Sequence, residues 1–152
     1  MIDEQLAAFL HDGVGIHLGT RNQQLEPNGA RAISVKVEND GRHLVVFMAA
    51  VAAERVLPDL KSNGHGAVVF ARPVDERACQ VKGTFVSARR IRRTERDSAR
   101  AQWEAFLDNL EHIGIPRSAA QTWVNVADMA ITLEVTSVFE QTPGPDAGKT
   151  LA

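Results

Sequence analysis

Cysteine is almost absent from this 152-residue sequence, which contains only Cys79. A single cysteine excludes an internal disulfide, and a reducing compartment is the simplest setting for such a chain. Tyrosine is absent altogether, and the aromatic residues are six phenylalanines and two tryptophans. So few aromatic side chains argue against a platform for single-stranded nucleic acid, on which bases stack against aromatic rings.

The chain also lacks a strong charge bias and any long apolar run. A formal net charge of −2 and a pI of about 6.2 give no general attraction to nucleic acid. Asp3 and Glu4 stand where a secretory signal carries basic residues, and no run approaches membrane-spanning length. The sequence therefore predicts a soluble, cytoplasmic protein without a membrane segment, and its length fits a single domain covering residues 1–152.

The motifs of several common catalytic sites are missing as well. The five histidines are scattered without metal-ligand spacing, so no metal site is predicted, and no Gly-x-Ser-x-Gly elbow occurs. Residues 144–150 resemble a phosphate-binding loop, but three residues rather than four separate the two glycines, and no strand–loop–helix pattern surrounds them. Cys79 lies in an apolar strand pattern and is interpreted as a core residue rather than a nucleophile. The residues alone identify no catalytic group.

The sequence does contain a series of strand patterns. Ile33, Val35 and Val37 alternate with polar residues, which is typical of a strand with one buried face. A turn at residues 39–41, Asn-Asp-Gly, then predicts a hairpin with the apolar strand that follows. Predicted strands cover residues 14–20, 33–37, 43–48, 66–71, 78–91 and 130–141.

Helical patterns are fewer and do not alternate regularly with these strands. Helices are predicted over residues 2–10, in two pieces within 49–63 separated at Pro58, from Thr94 to near Gly114, and over 118–126. Residues 21–30 are predicted to form a polar loop. Without strand–helix alternation a parallel sheet is disfavoured, and a mainly β (α+β) antiparallel barrel with helices at its ends is predicted.

One basic cluster, residues 89–96, allows two interpretations. It is either a solvated strand end, with Glu95 and Asp97 balancing its charge, or an anion-binding rim for a partner or a nucleic-acid backbone. No aromatic residue interleaves with these arginines, so base recognition is not expected. The hairpin of residues 31–48 is likewise either an ordinary surface hairpin or one wall of an anion site.

Taken in order, several segments resemble the FMN-binding split-barrel proteins related to pyridoxamine 5′-phosphate oxidase. The resemblance covers most of the chain, and its main carrier is Arg-Ala-Ile-Ser-Val-Lys at residues 31–36. The others are the Asp40-Gly41 turn, the strand 44–47, residues 59–64 before the strand 67–70, Gln-Val-Lys-Gly at 80–83, and residues 138–145.

This resemblance implies a six-stranded antiparallel Greek-key split barrel with short flanking helices. It further implies a homodimer with two FMN molecules at the subunit interface, an oxidoreductase type of activity and an unknown small-molecule substrate. By the same resemblance the flavin would lie along the first strand of the hairpin and close to the second. One residue after the hairpin would be a weaker candidate for binding the phosphate. The predicted cofactor-binding residues are Arg31, Ala32, Ile33, Ser34, Lys36, Phe47, Met48 and Arg55.

The sequence departs from the oxidase pattern where that pattern grips the phosphate. Residues 51–55 read Val-Ala-Ala-Glu-Arg instead of supplying Ser-Arg-Lys, and the Glu54 carboxylate would repel a phosphate. The basic C-terminal motif that holds the pyridoxal substrate is absent, so the chain is not interpreted as a pyridoxamine phosphate oxidase. The alternative is therefore a non-catalytic small-ligand-binding or interaction protein on the same barrel, with a degenerate flavin site.

Overall fold

The computed structural model describes residues 1–152 as a mainly β, α+β fold with one curled antiparallel sheet and three α-helices. The strands are β1 Gly15–Arg21, β2 Pro27–Ala32, β3 Ser34–Val37, β4 His43–Met48, β5 His65–Ala71, β6 Ala78–Arg90 and β7 Met129–Glu140. The helices are α1 Glu4–Leu10, α2 Ala50–Asn63 and α3 Arg93–His112, with a 3-10 turn at Arg117–Ala120. The sheet order is β2-β1-β5-β6-β7-β4-β3.

The sheet has seven strands rather than the predicted six, because β2 lies in the segment predicted to be a loop. Its Pro-Asn-Gly start has turn composition, but Pro27 occupies the first strand position, where a missing N–H is tolerated. Gly29 pairs with Gly19 of β1, so neither position has a side chain. Pairing with β1 thus overrides the local turn preference.

Strands β2 and β3 follow one another with only Ile33 between them, yet they lie at opposite ends of the strand order. The Ile33 N–H donates to the Phe47 carbonyl at 2.8 Å, which ties this junction to β4. Ala32 and Val35 pack in the same core although they are three positions apart, an odd spacing that would put them on opposite faces of a regular strand. The alternation of inward and outward side chains therefore shifts by one residue at Ile33. This shift bends the chain where it passes from β2, at one end of the curled half-barrel sheet, to β3 at the other.

The main core lies inside the curled sheet, where α1 and α2 cover it. Helix α2 is continuous through Pro58, so the prediction of two separate pieces is wrong. Pro58 is on the exposed side of the helix, whereas Val56 and Leu60 are buried in the core. Their burial outweighs the backbone hydrogen bond that proline removes.

A second core of 12 buried residues lies on the other side of the hairpin, under α3. Ile33, Val45 and Phe47 of the hairpin pack there against Trp103 and Phe106. Helix α3 begins one residue before the predicted Thr94, and a 3-10 turn replaces the helix predicted over residues 118–126. The helix therefore lies on the strands that the sequence assigns to ligand binding.

The C-terminal residues fold back along the end of β7. The Glu140 N–H donates to the Lys149 carbonyl at 2.8 Å, and the Leu151 N–H donates to the Val138 carbonyl at 2.7 Å. Gly144 and Gly148 have positive φ angles and make the reversal possible. None of the helices in the fold is both long and apolar enough to cross a membrane.

Candidate functional site

A cleft of about 550 Å³ lies between α3 and the β3–β4 hairpin. Strand β3 contributes Val35 and Lys36, while the helix and its N-cap contribute Arg92, Ser98 and Gln102. The wall is therefore part of the predicted flavin strand, and the cover is a helix with polar and basic side chains. These groups suit an anionic or hydrogen-bonding ligand.

The open edge of β3 is bonded by a side chain of α3. The Val35 N–H donates to Gln102 Oε1 at 3.0 Å, and Gln102 Nε2 donates to the Val35 carbonyl at 2.8 Å. Strand β3 is the last in the sheet order, so without this contact both backbone groups would lack a strand partner. The Gln102 carboxamide thus bonds this strand edge in the way that the backbone of one residue in a neighbouring strand would.

Next to this contact, Ser34 has a fully buried hydroxyl that makes no hydrogen bond. Ser34 pairs with Phe47 across the hairpin, under the cover of α3. An unbonded buried hydroxyl costs free energy, so a polar partner at this position would be favourable. A second unbonded polar atom, His11 Nε2, belongs to another residue that lines the cleft.

Arg31 lies at the other end of the hairpin strand, against aromatic rings. Its guanidinium carbon is 4.3 Å from the Trp123 ring centre and 5.6 Å from that of Phe106. No carboxylate forms an ion pair with it, and burial lowers its pKa. His17 is its direct neighbour across β1, and burial, then the Arg31 charge, lowers the pKa of that imidazole. The positive charge is therefore partly desolvated and uncompensated.

The N-terminus of α2, directly before the residues 51–55 where the oxidase pattern grips the phosphate, is bonded by a carboxylate of the same chain. The Ala50 N–H donates to Asp128 Oδ2 at 3.2 Å. A carboxylate at a helix N-terminus satisfies a free N–H and interacts favourably with the helix dipole. One turn later, Glu54 and Arg55 are both exposed. An incoming phosphate would meet the Asp128 charge here.

Lys36 is exposed and pairs with Glu38, with 2.8 Å between Nζ and Oε2. Both side chains are largely solvated, so the pair contributes little and exchanges readily with another anion. Lys36 is thus available to a ligand in the cleft.

The basic cluster divides between structural and cleft-lining roles. Arg89 forms a two-pronged ion pair with Glu95, at 2.8 and 2.7 Å. Glu95 also accepts from the Arg92 N–H at 2.8 Å, and these bonds, chiefly the one from Arg89, lower its pKa to about 2. Arg96 and Arg100 line a second cleft of about 340 Å³ beside Trp103. The cluster therefore caps α3 and also supplies Arg96 to the second cleft, where Arg100 of the same helix joins it.

The structure does not gather all the predicted cofactor residues at one surface. Lys36 and Phe47 line the main cleft, with Ser34 beside them, and Ile33 is buried beneath α3. Arg31 lies by Trp123; the others are Ala32 and Met48 in the main core and Arg55 on the surface of α2.

Three residues that the sequence did not indicate contact this region: Gln102, Trp123 and Asp128. Gln102 is one polar position on an amphipathic helix, and Trp123 and Asp128 lie in a segment without periodicity. Only the presence of a second tryptophan near the long helix could have drawn attention to this segment.

FMN fits this arrangement in part. Arg31 and Lys36 are five positions apart on β2 and β3, so at most roughly 16 Å of extended backbone joins them, with a cation at each end. Between them Val35 offers one backbone donor and one acceptor, which match a flavin ring edge. Gln102 bonds that donor and acceptor, and Asp128 bonds the α2 N-terminus. The Arg31 end therefore fits a phosphate, whereas the ring end fits only when Gln102 moves.

No protein-family model matches the chain, and no curated protein matches it. Solved structures do. HupZ from Group A Streptococcus is 16% identical, with a TM-score of 0.58, over 97% of this chain and 100% of that one. A putative pyridoxamine 5′-phosphate oxidase from Lactobacillus delbrueckii is 14% identical, with a TM-score of 0.56, over 91% and 93%. An F420 reductase is 15% identical, with a TM-score of 0.52, over 90% and 98%.

At these identities the likeness concerns the fold alone. It extends over nearly the whole chain, so the predicted resemblance to split-barrel proteins of the pyridoxamine 5′-phosphate oxidase type is confirmed as a structural match.

Proposed function

We propose that this chain is an FMN-binding split-barrel protein of the oxidoreductase type, with the flavin along β2 and β3 at a homodimer interface. The observation that carries the proposal is Arg31, a partly buried guanidinium with two aromatic contacts and no carboxylate partner. A desolvated charge without a counterion is costly. An anionic group on a ligand would remove that cost.

A phosphate suits the geometry of Arg31. Contact with the face of Trp123 holds the planar guanidinium while leaving the N–H groups at its rim free to donate. Arginine binds phosphate oxygens through two parallel hydrogen bonds, which are stronger than bonds between neutral groups. The phosphate end of FMN is therefore assigned to Arg31.

The residues from Ser34 to Lys36 would orient the ring end of FMN. Val35 would supply backbone hydrogen bonds, Ser34 a free hydroxyl, and Phe47 an apolar contact. Bound FMN would supply electron or hydride transfer. Lys36 would place a positive charge at the ring end, which favours an anionic form of the ring.

The second candidate, a non-catalytic ligand-binding or interaction protein with a degenerate flavin site, is favoured by Asp128. Its carboxylate occupies the helix N-terminus that would otherwise meet a phosphate, and Glu54 adds negative charge nearby. This candidate keeps the barrel and the Arg31 anion site but loses tight FMN binding.

A titration with FMN separates the two candidates. Purified protein incubated with FMN and desalted should stay yellow, and its melting temperature should rise. A hundredfold excess over Kd corresponds to about 3 kcal/mol of added stability. A colourless protein with an unchanged melting temperature would favour the degenerate site.

Arg31→Ala tests whether the Arg31 guanidinium binds the phosphate of FMN. We expect FMN affinity to fall by at least about tenfold, because two charge-assisted hydrogen bonds are lost. Arg42→Ala is the matched control, since Arg42 is exposed and its side chain makes no ion pair. Flavin fluorescence quenching measures both affinities. Equal affinities for the two variants would remove Arg31 from the site.

A further inference from the structure

We propose that Gln102 is a displaceable substitute for the ligand, and that it gates the ring end of the site. Its carboxamide occupies the backbone edge of Val35 and must leave before a ligand with an adjacent donor and acceptor can bind there. This inference rests on the proposed flavin site and adds the residue that regulates it.

The hydrogen-bond pattern carries the argument. Val35 presents an N–H and a C=O from the same residue, and Gln102 meets them with one acceptor and one donor at 3.0 and 2.8 Å. A lactam or imide edge, such as the pyrimidine part of a flavin ring, has the same pair of groups in the same order. Gln102 and such an edge therefore compete for a single position.

Two neighbouring polar atoms remain unbonded while Gln102 holds the edge of Val35. The Ser34 hydroxyl is fully buried one residue away and makes no hydrogen bond, and His11 Nε2 at the cleft is also unbonded. Gln102 bonds only the backbone of Val35 and leaves the Ser34 hydroxyl without a partner. A larger ring with several polar atoms would have bonds to offer that a carboxamide lacks.

The position of Gln102 also allows it to move. It lies on α3 next to Trp103, which anchors the helix in the second core, so a change of side-chain rotamer can free Val35 while the helix stays in place. Free Val35 groups then face the cleft of about 550 Å³. The gate thus requires no movement of the fold.

The test compares FMN binding by wild type, Gln102→Ala and Gln102→Met. Methionine keeps the length of the side chain but cannot make either hydrogen bond. Both variants should bind FMN roughly tenfold more tightly than wild type, because the ligand no longer displaces two net hydrogen bonds. Gln5→Ala is the control, since Gln5 is an exposed helical glutamine in α1 whose side chain makes no hydrogen bond.

A second measurement follows the backbone edge of Val35 directly and requires no activity assay. Exchange of the Val35 amide hydrogen should be slow in wild type, fast in both Gln102 variants, and slow again after FMN is added. FMN methylated at the imide nitrogen should bind the variants more weakly than FMN, since it cannot donate to the Val35 carbonyl.

The outcomes separate this inference from the function on which it rests. Binding of FMN by wild type with unchanged affinity in both Gln102 variants would overturn the gate and leave the flavin site intact. Absence of FMN binding in all proteins would overturn both. Binding only by the Gln102 variants would support both, as a flavin site that Gln102 closes.

Discussion

At the scale of single residues, two arginines on this surface show opposite electrostatic designs. Glu95 neutralises the charge of Arg89 through two hydrogen bonds in a partly buried ion pair. Arg31 has only aromatic rings around its charge. The paired arginine stabilises the start of α3, whereas the unpaired one retains its capacity to bind an anion.

The Arg89–Glu95 pair predicts a specific pH dependence of stability. The folded protein lowers the pKa of Glu95 to about 2, below its ordinary value of 4.5. The carboxylate therefore stabilises the fold above about pH 4.5, and this contribution is lost as the pH falls toward 2. Glu95→Gln should cost about 1.5–3 kcal/mol at pH 7, the range for a hydrogen bond to a charged group.

Denaturant unfolding at a series of pH values measures this loss. The difference between wild type and Glu95→Gln should shrink steadily below pH 4.5. Glu54→Gln is the comparison, because Glu54 is exposed on α2 and its side chain makes no ion pair. A constant difference down to pH 2 would mean that Glu95 acts through packing rather than through its charge.

Residue roles were the least predictable part of the site. The motif at residues 31–36 indicated Arg31 and Lys36, which lie on β2 and β3, but it gave no sign of the side chains that reach this region from distant segments. Gln102 reaches Val35 across 67 positions and Asp128 reaches Ala50 across 78. Local pattern carries no information on such contacts, because they depend on how the elements pack.

At the scale of elements, strands with a clear apolar pattern were predicted within a residue or two. β4, β5 and β6 match their predicted bounds closely because each has a strong apolar pattern and clear turn residues at its ends. β2 was missed because its pairing with β1, rather than its own composition, makes it a strand. Tertiary contact decided the elements whose local signal was weak.

Helix α2 gives a prediction at this scale. Pro58 lies inside the helix with an exposed side chain, so it removes a backbone hydrogen bond and contributes no core packing. Pro58→Ala should stabilise the protein by about 2 kcal/mol, which is the helix cost of proline less its benefit in restricting the unfolded chain. Urea unfolding with an unchanged slope measures this gain.

Pro27→Ala provides the contrast, because Pro27 is the first residue of β2 and is exposed. Its replacement should change stability by less than about 0.5 kcal/mol. A loss of stability in Pro58→Ala would indicate that the helix is interrupted in solution, as the sequence alone suggested.

At the scale of the whole molecule, the hairpin separates two cores. The main core holds the sheet together, and the smaller one attaches α3 to the outside of β3 and β4. The class of fold was predictable because strand patterns without alternating helices exclude most other architectures. The second core was not predictable from the sequence, because it joins residues of the hairpin to a helix some 60 positions later.

We expect two copies of the chain to associate through the outward face of β1, β5, β6 and β7. A row of paired residues crosses four strands from His17 through Val69 and Gln80 to Phe139, opposite the side chains of the main core. Val69 and Phe139 are only partly buried within one chain. A second copy would cover them, and light scattering should give twice the chain mass of 16.6 kDa.

Val69→Arg should turn that dimer into a monomer, because it would place a pair of like charges at the centre of a two-fold contact. Val86→Arg is the control: Val86 is 51% exposed on β6, beyond the row. If the flavin lies between subunits, Val69→Arg should also weaken FMN binding, whereas Val86→Arg should not. A Val69→Arg protein that stays dimeric would place the subunit contact elsewhere, and one that is monomeric yet binds FMN at full affinity would place the flavin within a single chain.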